Sequence, residues 1–144
     1  FYPLNEITSF KINKLFRKLT RNKIKQEKIL IVKGRKFTIK NYYEGIARFD
    51  FNDLCNKNIG AEDYIKISDV SKYIFIENLP NFDDKNSNQQ QRFITLIDII
   101  YEKKVSLTIS SDSNLNKLTS SKSLSELFKR TLSRLHELTS SVNN

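Results

Sequence analysis

One stretch of the chain, residues 72–112, constrains the fold more than any other part. It reads as an apolar strand at Tyr73–Ile76, a polar loop, an apolar helix centred on Phe93–Tyr101 and a second apolar strand at Val105–Ile109. Two strands joined by a helix at this length form a right-handed βαβ crossover, which places the strands parallel in one sheet. Both strands are nearly continuous apolar runs, as expected when both faces of a sheet are covered. The sequence therefore predicts an α/β fold with a parallel core at residues 72–112.

Each predicted strand of this core ends in polar or acidic residues. Glu77 and Asn78 follow the first strand, and Ser110, Ser111 and Asp112 follow the second. Open α/β sheets bind ligands beyond the carboxyl ends of their parallel strands. Glu77 and Asp112 are therefore candidates for contacts with a nucleotide, Glu77 at the position where an acid would hold magnesium or water. An ordinary surface acid at a strand end is the alternative interpretation of each.

A phosphate-binding loop is missing from the sequence. The chain has three glycines and contains no G-x-x-x-x-G-K-[ST] motif, whose amides and lysine hold phosphates at a helix start. One cysteine, Cys55, and one histidine, His136, fall short of the roughly four such ligands that a zinc site needs. We therefore predict no metal site, and we expect the chain by itself to be inactive as an enzyme. The lone cysteine also excludes an internal disulfide and fits a reducing compartment such as the cytoplasm.

The remaining residues predict smaller units within one domain, residues 1–144. Residues 1–27 hold a basic amphipathic helix, predicted over Ser9–Arg21, and residues 28–51 read as a small antiparallel β unit with a tight turn at a glycine. Residues 52–144 form the α/β part, which ends in a helix predicted over Ser123–Leu138 with a capping box at its start. The connections over residues 80–88 and 114–121 are interpreted as polar loops, the second of them mobile.

The net charge of +9 lies at the amino-terminal end of the chain. Residues 1–40 hold twelve lysines and arginines against two acidic residues, and the remainder is close to neutral. Such a segment is typical of proteins that bind nucleic acid, an anionic surface or an acidic partner, although a solvated helix face is the simpler interpretation. One alternative function is therefore a non-enzymatic basic module that binds nucleic acid or an anionic membrane surface through residues 11–40.

Two arginines of the last predicted helix, Arg130 and Arg134, are candidates for a catalytic role. Arginine side chains stabilise the charge on a transferred phosphoryl group, in cis or from a neighbouring subunit. Their spacing also fits ion pairs with Glu126 or Glu137, one helical turn away, which would make them ordinary surface residues. Asp98 is unusual in its apolar helix. It either faces solvent or accepts hydrogen bonds from a partner, because an unpaired buried carboxylate is costly.

Several stretches together resemble one known family. They are, in chain order, Val32–Phe37, Phe49–Cys55, Gly60–Ile65, Tyr73–Pro80, Arg92–Asp98 with Tyr101–Glu102, and Arg130–Glu137. In this order they resemble the ZapE-type cell-division ATPases of bacteria and the related mitochondrial ATPase-family-gene proteins of the AAA type. The likeness covers nearly the whole chain and corresponds to the carboxyl-terminal part of longer proteins. Gln91 and Asn78 depart from the family pattern, which usually has an arginine and an aspartate there.

The resemblance implies that this chain is the carboxyl-terminal fragment of a P-loop, AAA-like three-layer domain. The full-length protein would bind ATP and Mg²⁺, whereas no cofactor is expected for the fragment. Arg130 and Arg134 would act as arginine finger or sensor, in a site completed by the missing P-loop half or by another subunit of a homo-oligomer. The partner would be a division-ring or membrane-associated protein, and the location cytoplasmic or peripheral at the inner membrane. A remnant of a split gene that folds poorly is the third interpretation.

Overall fold

The computed structural model describes residues 1–55 and 58–140. Its helices and strands are α1 (Glu6–Thr20), β1 (Lys25–Val32), β2 (Arg35–Tyr43), β3 (Ile46–Asp50), α2 (Phe51–Cys55), α3 (Ala61–Asp69), β4 (Tyr73–Leu79), α4 (Ser87–Glu102), β5 (Ser106–Ser111) and α5 (Ser125–Ser140). Two 3₁₀ helices, Asp84–Asn86 and Leu115–Lys117, lie in the connections. The strands of the described residues form one sheet in the order β1-β2-β3-β4-β5.

The sheet is mixed, and it confirms the predicted fold class. β3, β4 and β5 run parallel, with α3 and α4 in the crossovers, so residues 72–112 form the predicted βαβ core. β1 pairs antiparallel with β2, and β2 pairs antiparallel with β3, so residues 28–51 form the predicted small antiparallel unit. This arrangement brings the carboxyl ends of the three parallel strands to one edge of the molecule.

One face of the sheet packs against α2, α3, α4 and α5. The centre of this layer is a group of four buried aromatic side chains: Phe51, Phe82, Phe93 and Phe128. The ring centroid of Phe82 lies 5.8 Å from that of Phe93 and 5.6 Å from that of Phe128. Phe82 belongs to the connection that we predicted to be a polar loop. That prediction is wrong at this position, because the loop carries one of the largest fully buried side chains of the core.

The other face of the sheet packs against α1. Ile12 and Phe16 of this helix contact Ile46 of β3 and Phe75 of β4, and the rings of Phe16 and Phe75 meet edge to face at 5.2 Å. The apolar stripe predicted for the first helix is therefore the surface that α1 buries. Helices on both faces of the sheet give the three-layer arrangement that the resemblance implied.

Two helices begin at other residues than the sequence predicted. α1 begins three residues earlier, at Glu6, because the side chain of Asn5 accepts a hydrogen bond from the amide of Thr8 (2.9 Å) and caps the helix. α5 begins at Ser125, so Ser123 lies in the preceding turn and is not the cap of a capping box.

The connection after β5, predicted to be mobile, is joined to the core by Gln90 of α4. The Gln90 side chain is fully buried, donates a hydrogen bond to the hydroxyl of Ser120 (2.7 Å) and accepts one from the amide of Ser121 (3.0 Å). The hydroxyl of Thr119 donates to the carbonyl of Phe82 (2.7 Å). The two long connections therefore hold each other in place.

Candidate functional site

Glu77 lies at the carboxyl end of β4, on the face of the sheet that α1 covers. Its carboxylate forms an ion pair with Arg48 of β3, whose guanidinium also donates to the side-chain oxygen of Asn13 of α1 (2.7 Å). The guanidinium lies 4.9 Å from the ring centre of Phe16, and both charged side chains are largely buried. A positive charge in direct contact neutralises Glu77. A role of Glu77 in holding magnesium or water stays a prediction.

Asn78 joins the ends of the three parallel strands. Its backbone has a φ of 64°, a left-handed conformation that asparagine tolerates. Its amide donates a hydrogen bond to the hydroxyl of Ser110 on β5 (2.9 Å), and its side chain donates to the carboxylate of Asp50 on β3 (2.5 Å). Asp112 lies exposed, one residue beyond β5. A groove of about 810 Å³ opens between this polar edge and the start of α1.

Arg130 and Arg134 of α5 both reach Asp98 of α4. Arg134 forms a close ion pair with the Oδ1 atom, and Arg130 donates to Oδ2 at 3.4 Å. The guanidinium of Arg134 also lies 4.8 Å from the ring centre of Tyr101, whose hydroxyl donates to Glu137 (2.6 Å). The predicted ion pairs between these arginines and acids of their own helix are therefore wrong. Of the two interpretations of Asp98, the structure confirms the one in which its carboxylate accepts hydrogen bonds from a partner.

The structure does not bring the four candidate residues into one site. Glu77 lies on the face of the sheet covered by α1, whereas α5 with Arg130 and Arg134 packs against the opposite face. Arg48 was missed at the sequence level. The period-two alternation of β3 predicts its position. Phe49 and Phe51 point to the core, so Arg48 shares the other face with Asp50.

The stretches that carry the family resemblance form internal contacts. Arg92 of α4 donates a hydrogen bond to the carbonyl of Cys55 (3.1 Å), and the hydroxyl of Tyr64 donates to the carbonyl of Leu54 (2.6 Å). Asp63 accepts hydrogen bonds from Arg35 at 2.9 and 3.0 Å.

Burial raises the pKa of the Cys55 thiol to about 12, so the thiol is neutral and is no nucleophile near neutral pH.

Metal-binding and membrane-spanning features are absent from the part of the chain that the structure describes. Within residues 1–55 and 58–140, no group of three or more His, Cys, Asp and Glu side chains is placed to hold a metal ion. No helix in these ranges is both long and apolar enough to cross a membrane.

A sheet with parallel strands, helices on both faces and polar residues at the strands' carboxyl ends defines a three-layer α/β domain, an architecture consistent with part of a P-loop-like domain. The chain belongs to the AFG1-like ATPase family, whose sequence model matches residues 1–143. It is 33% identical over 109 residues to lactation elevated protein 1 homolog B of Danio rerio, a match that covers 74% of this chain and 22% of that protein.

A bacterial relative matches over a longer range. The cell division protein ZapE of Escherichia coli K12 is 27% identical over 138 residues, 96% of this chain and 37% of ZapE. The chain thus spans well under half the length of both relatives. No solved structure is significantly similar to it.

Proposed function

We propose that the chain is the carboxyl-terminal part of a ZapE-like protein that binds and hydrolyses ATP with Mg²⁺. The observation that carries the proposal is the match of the ATPase family over residues 1–143 of a sequence that has no phosphate-binding loop. The loop and its lysine would be supplied by sequence that the longer relatives have and this chain does not contain. The chain by itself is expected neither to bind nor to hydrolyse ATP.

Arg130 and Arg134 are the residues of this chain proposed to serve the nucleotide site as finger or sensor. Arg130 supports this role best, because its side chain is 54% exposed and its contact with Asp98 is long, at 3.4 Å. Arg134 is held more firmly, by Asp98 and by the ring of Tyr101. Either arginine would act on nucleotide bound by the missing half of the domain or by a neighbouring subunit of a homo-oligomer.

The proposed cellular role is taken from the bacterial relative, whose name states one. ZapE is a cell division protein, and we propose a division-ring or membrane-associated protein as the partner of this chain, in cell division or in protein quality control. Its location would be the cytoplasm or the periphery of the inner membrane. Loss of the gene would then give filamentous cells, or cells that accumulate damaged membrane proteins. Normal division and normal protein turnover in such cells would contradict both roles.

The experiment for the biochemical proposal compares two proteins. The full-length protein and residues 1–144 are assayed for ATP binding by fluorescent nucleotide and for phosphate release. Turnover is expected from the full-length protein and neither activity from residues 1–144. Nucleotide binding by residues 1–144 would contradict the assignment of the phosphate loop to the missing half. A full-length protein that binds no ATP would contradict the proposed function.

The second candidate function is a basic module that binds nucleic acid or an anionic membrane surface through residues 11–40. One observation favours it: Lys11, Lys14, Arg17 and Lys18 are all exposed on the outer side of α1. Contacts with phosphates release counterions, so the logarithm of affinity should fall steeply and linearly with the logarithm of salt. The measurement is a titration of DNA, RNA and anionic vesicles at several salt concentrations. Absence of binding at low salt would remove this candidate.

A further inference from the structure

β1 is an edge strand, which pairs with β2 alone among the strands of the described residues. Val32 and Arg35 flank the two-residue turn Lys33–Gly34, whose residues have φ values of 51° and 74°. Residues that flank such a turn form a hydrogen-bonded pair, and these pairs then alternate along the antiparallel ladder. Ile29 and Ile31 therefore point their amides and carbonyls away from β2, towards the open edge.

The side chains of the same two residues are also exposed. Ile29 is 55% exposed and Ile31 is 63% exposed, whereas Leu30 and Val32 are buried and Leu30 belongs to the core on the opposite face. Long edge strands with exposed apolar residues are usually shielded, because unpaired backbone groups accept a strand from another chain. A strand added beside β1 would pair the free backbone groups and cover the isoleucines in one step.

The positive charge around this edge favours an acidic partner strand over a basic one. Residues 23–40 carry seven basic residues and one acidic residue. Lys28 lies on β1 itself, on the face of Leu30 and opposite Ile29 and Ile31, with its ammonium group 5.9 Å from the ring centre of Tyr42. An alternating strand that covers the isoleucines with its apolar side chains turns its acidic side chains towards this cation, whereas a second copy of β1 would bring cations of its own.

The turn end of β1 is fixed to the body of the protein. Lys33 forms an ion pair with Glu62 (3.0 Å), and Arg35 forms one with Asp63 (2.9 Å), both at the start of α3. Arg35 is half exposed and Asp63 is buried. An edge that is held before a ligand arrives loses less entropy on binding.

We propose that the free edge of β1 is a docking site for an extended segment of a protein partner that alternates acidic and apolar residues. The segment adds to the sheet as a strand beside β1. Its main chain pairs with the outward amides and carbonyls of Ile29 and Ile31, its apolar side chains cover the two isoleucines, and its carboxylates point to the opposite face of the sheet, where Lys28 lies. Strand addition gives affinity through the main chain and specificity through alternate side chains. The inference goes beyond ATP hydrolysis and does not depend on it.

The test uses residues 1–144 and a fluorescein-labelled peptide of about eight residues that alternates glutamate and valine. A peptide with lysine in place of each glutamate is the charge control. We expect the glutamate peptide to bind at low salt and to slow amide hydrogen exchange at Ile29 and Ile31.

The Ile31→Pro variant tests the backbone pairing. The substitution removes one outward amide and no bond to β2, so it should weaken binding about tenfold or more. Ile7→Thr changes an equally exposed isoleucine (66%) on α1 and should leave binding unchanged.

Several outcomes would overturn the proposal. Equal binding of the lysine peptide, no binding of the glutamate peptide, or slowed exchange at other amides would each do so. Vesicle binding that the double variant Ile29→Thr/Ile31→Thr abolishes, without peptide binding, would assign the edge to an anionic membrane. Dimerisation that this double variant abolishes would assign it to a second copy. If Ile31→Pro lowers the melting temperature, the double variant replaces it, and unchanged peptide affinity in that variant overturns the proposal.

Discussion

The carboxylate of Asp98 on α4 lies between Arg130 and Arg134 of α5 and binds both. It sits in the apolar second half of this helix, where an unpaired carboxylate would be unfavourable. The two arginines offset the cost of placing the Asp98 carboxylate on a partly buried helix face, and Asp98 in turn joins α4 to α5. The candidate arginines therefore have a structural role that can be separated from a catalytic one by experiment.

Arg134→Ala is expected to lower the free energy of unfolding by about 1–2 kcal/mol, because it removes the close contact of a half-buried pair. Asp98→Asn should lower it to a similar extent. Lys129→Ala removes a fully surface pair with Glu126 and is the matched control, with a change within about 0.5 kcal/mol. Denaturant melts of residues 1–144 measure all three. An Arg134→Ala protein as stable as the wild type would show that the pair does not hold α5.

The same variants in the full-length protein separate the two roles of the arginines. If Arg134 acts on the nucleotide, Arg134→Ala should reduce ATP turnover about a hundredfold or more with nucleotide affinity kept, and Asp98→Asn should reduce it much less. If Arg134 only joins the helices, the two variants should reduce turnover equally and in step with their loss of stability. Phosphate release and nucleotide affinity, measured well below the melting temperatures, distinguish these results. Unchanged turnover in Arg134→Ala would remove this residue from the site.

Phe82→Ala is expected to lower the free energy of unfolding by about 3–5 kcal/mol, because it empties the centre of the aromatic group. Phe10→Ala is the control, since Phe10 is 62% exposed on α1 and its removal should cost less than about 0.5 kcal/mol. Urea denaturation followed by circular dichroism measures both. Similar losses from the two variants would contradict the burial of Phe82.

Gln90→Ala should cost about 1–3 kcal/mol and release the connection after β5, because the amide of Ser121 and the hydroxyl of Ser120 lose their buried partner. Gln91→Ala, at the exposed neighbouring position, should have little effect. Limited proteolysis reports the release as faster cleavage within residues 114–121. Equal cleavage of the two variants would show that Gln90 does not secure this segment.

Stability should fall at alkaline pH through Cys55. Burial raises the pKa of its thiol from 9.0 to about 12 in the folded chain, so the folded state retains a proton that the unfolded state releases first. The stabilisation is complete below pH 9 and is lost as pH rises towards 12, at up to about 1.4 kcal/mol per pH unit. Burial also raises the pKa of Tyr64, which adds to the loss above pH 10.

The Cys55→Ala variant isolates the contribution of this thiol. Its unfolding free energy, measured from pH 8 to pH 10, should change less with pH than that of the wild type, whatever its absolute stability. Parallel pH dependences for the two proteins would contradict a buried, neutral thiol.

Apolar patterning was sufficient to predict the core of the fold. Tyr73–Ile76 and Val105–Ile109 are mainly apolar runs of strand length, and the helix between them is long enough for a parallel crossover, so the βαβ unit follows from sequence. The burial of Phe82 could not be predicted in this way. It is a single aromatic residue among polar neighbours, and its partners Phe93 and Phe128 come from distant parts of the chain, so no local period reveals it.

The polar contacts were predicted least well, because they depend on which helices become neighbours. Spacing along α5 favours Glu126 and Glu137 as partners of the two arginines, and the packing of α5 on α4 gives both to Asp98 instead. Glu77 shows the same effect: its place at a strand end was read from sequence, and its ion pair with Arg48 depends on the pairing of β3 with β4.

The spatial order of the five strands repeats their order along the chain. Each strand therefore pairs with the one that leaves the ribosome just before it, and the longest interval between paired strands is one helix and its connections. The cost of closing each loop is small, and a short, growing sheet always offers the next strand a template. Assembly of these five strands can proceed from β1 to β5 during synthesis.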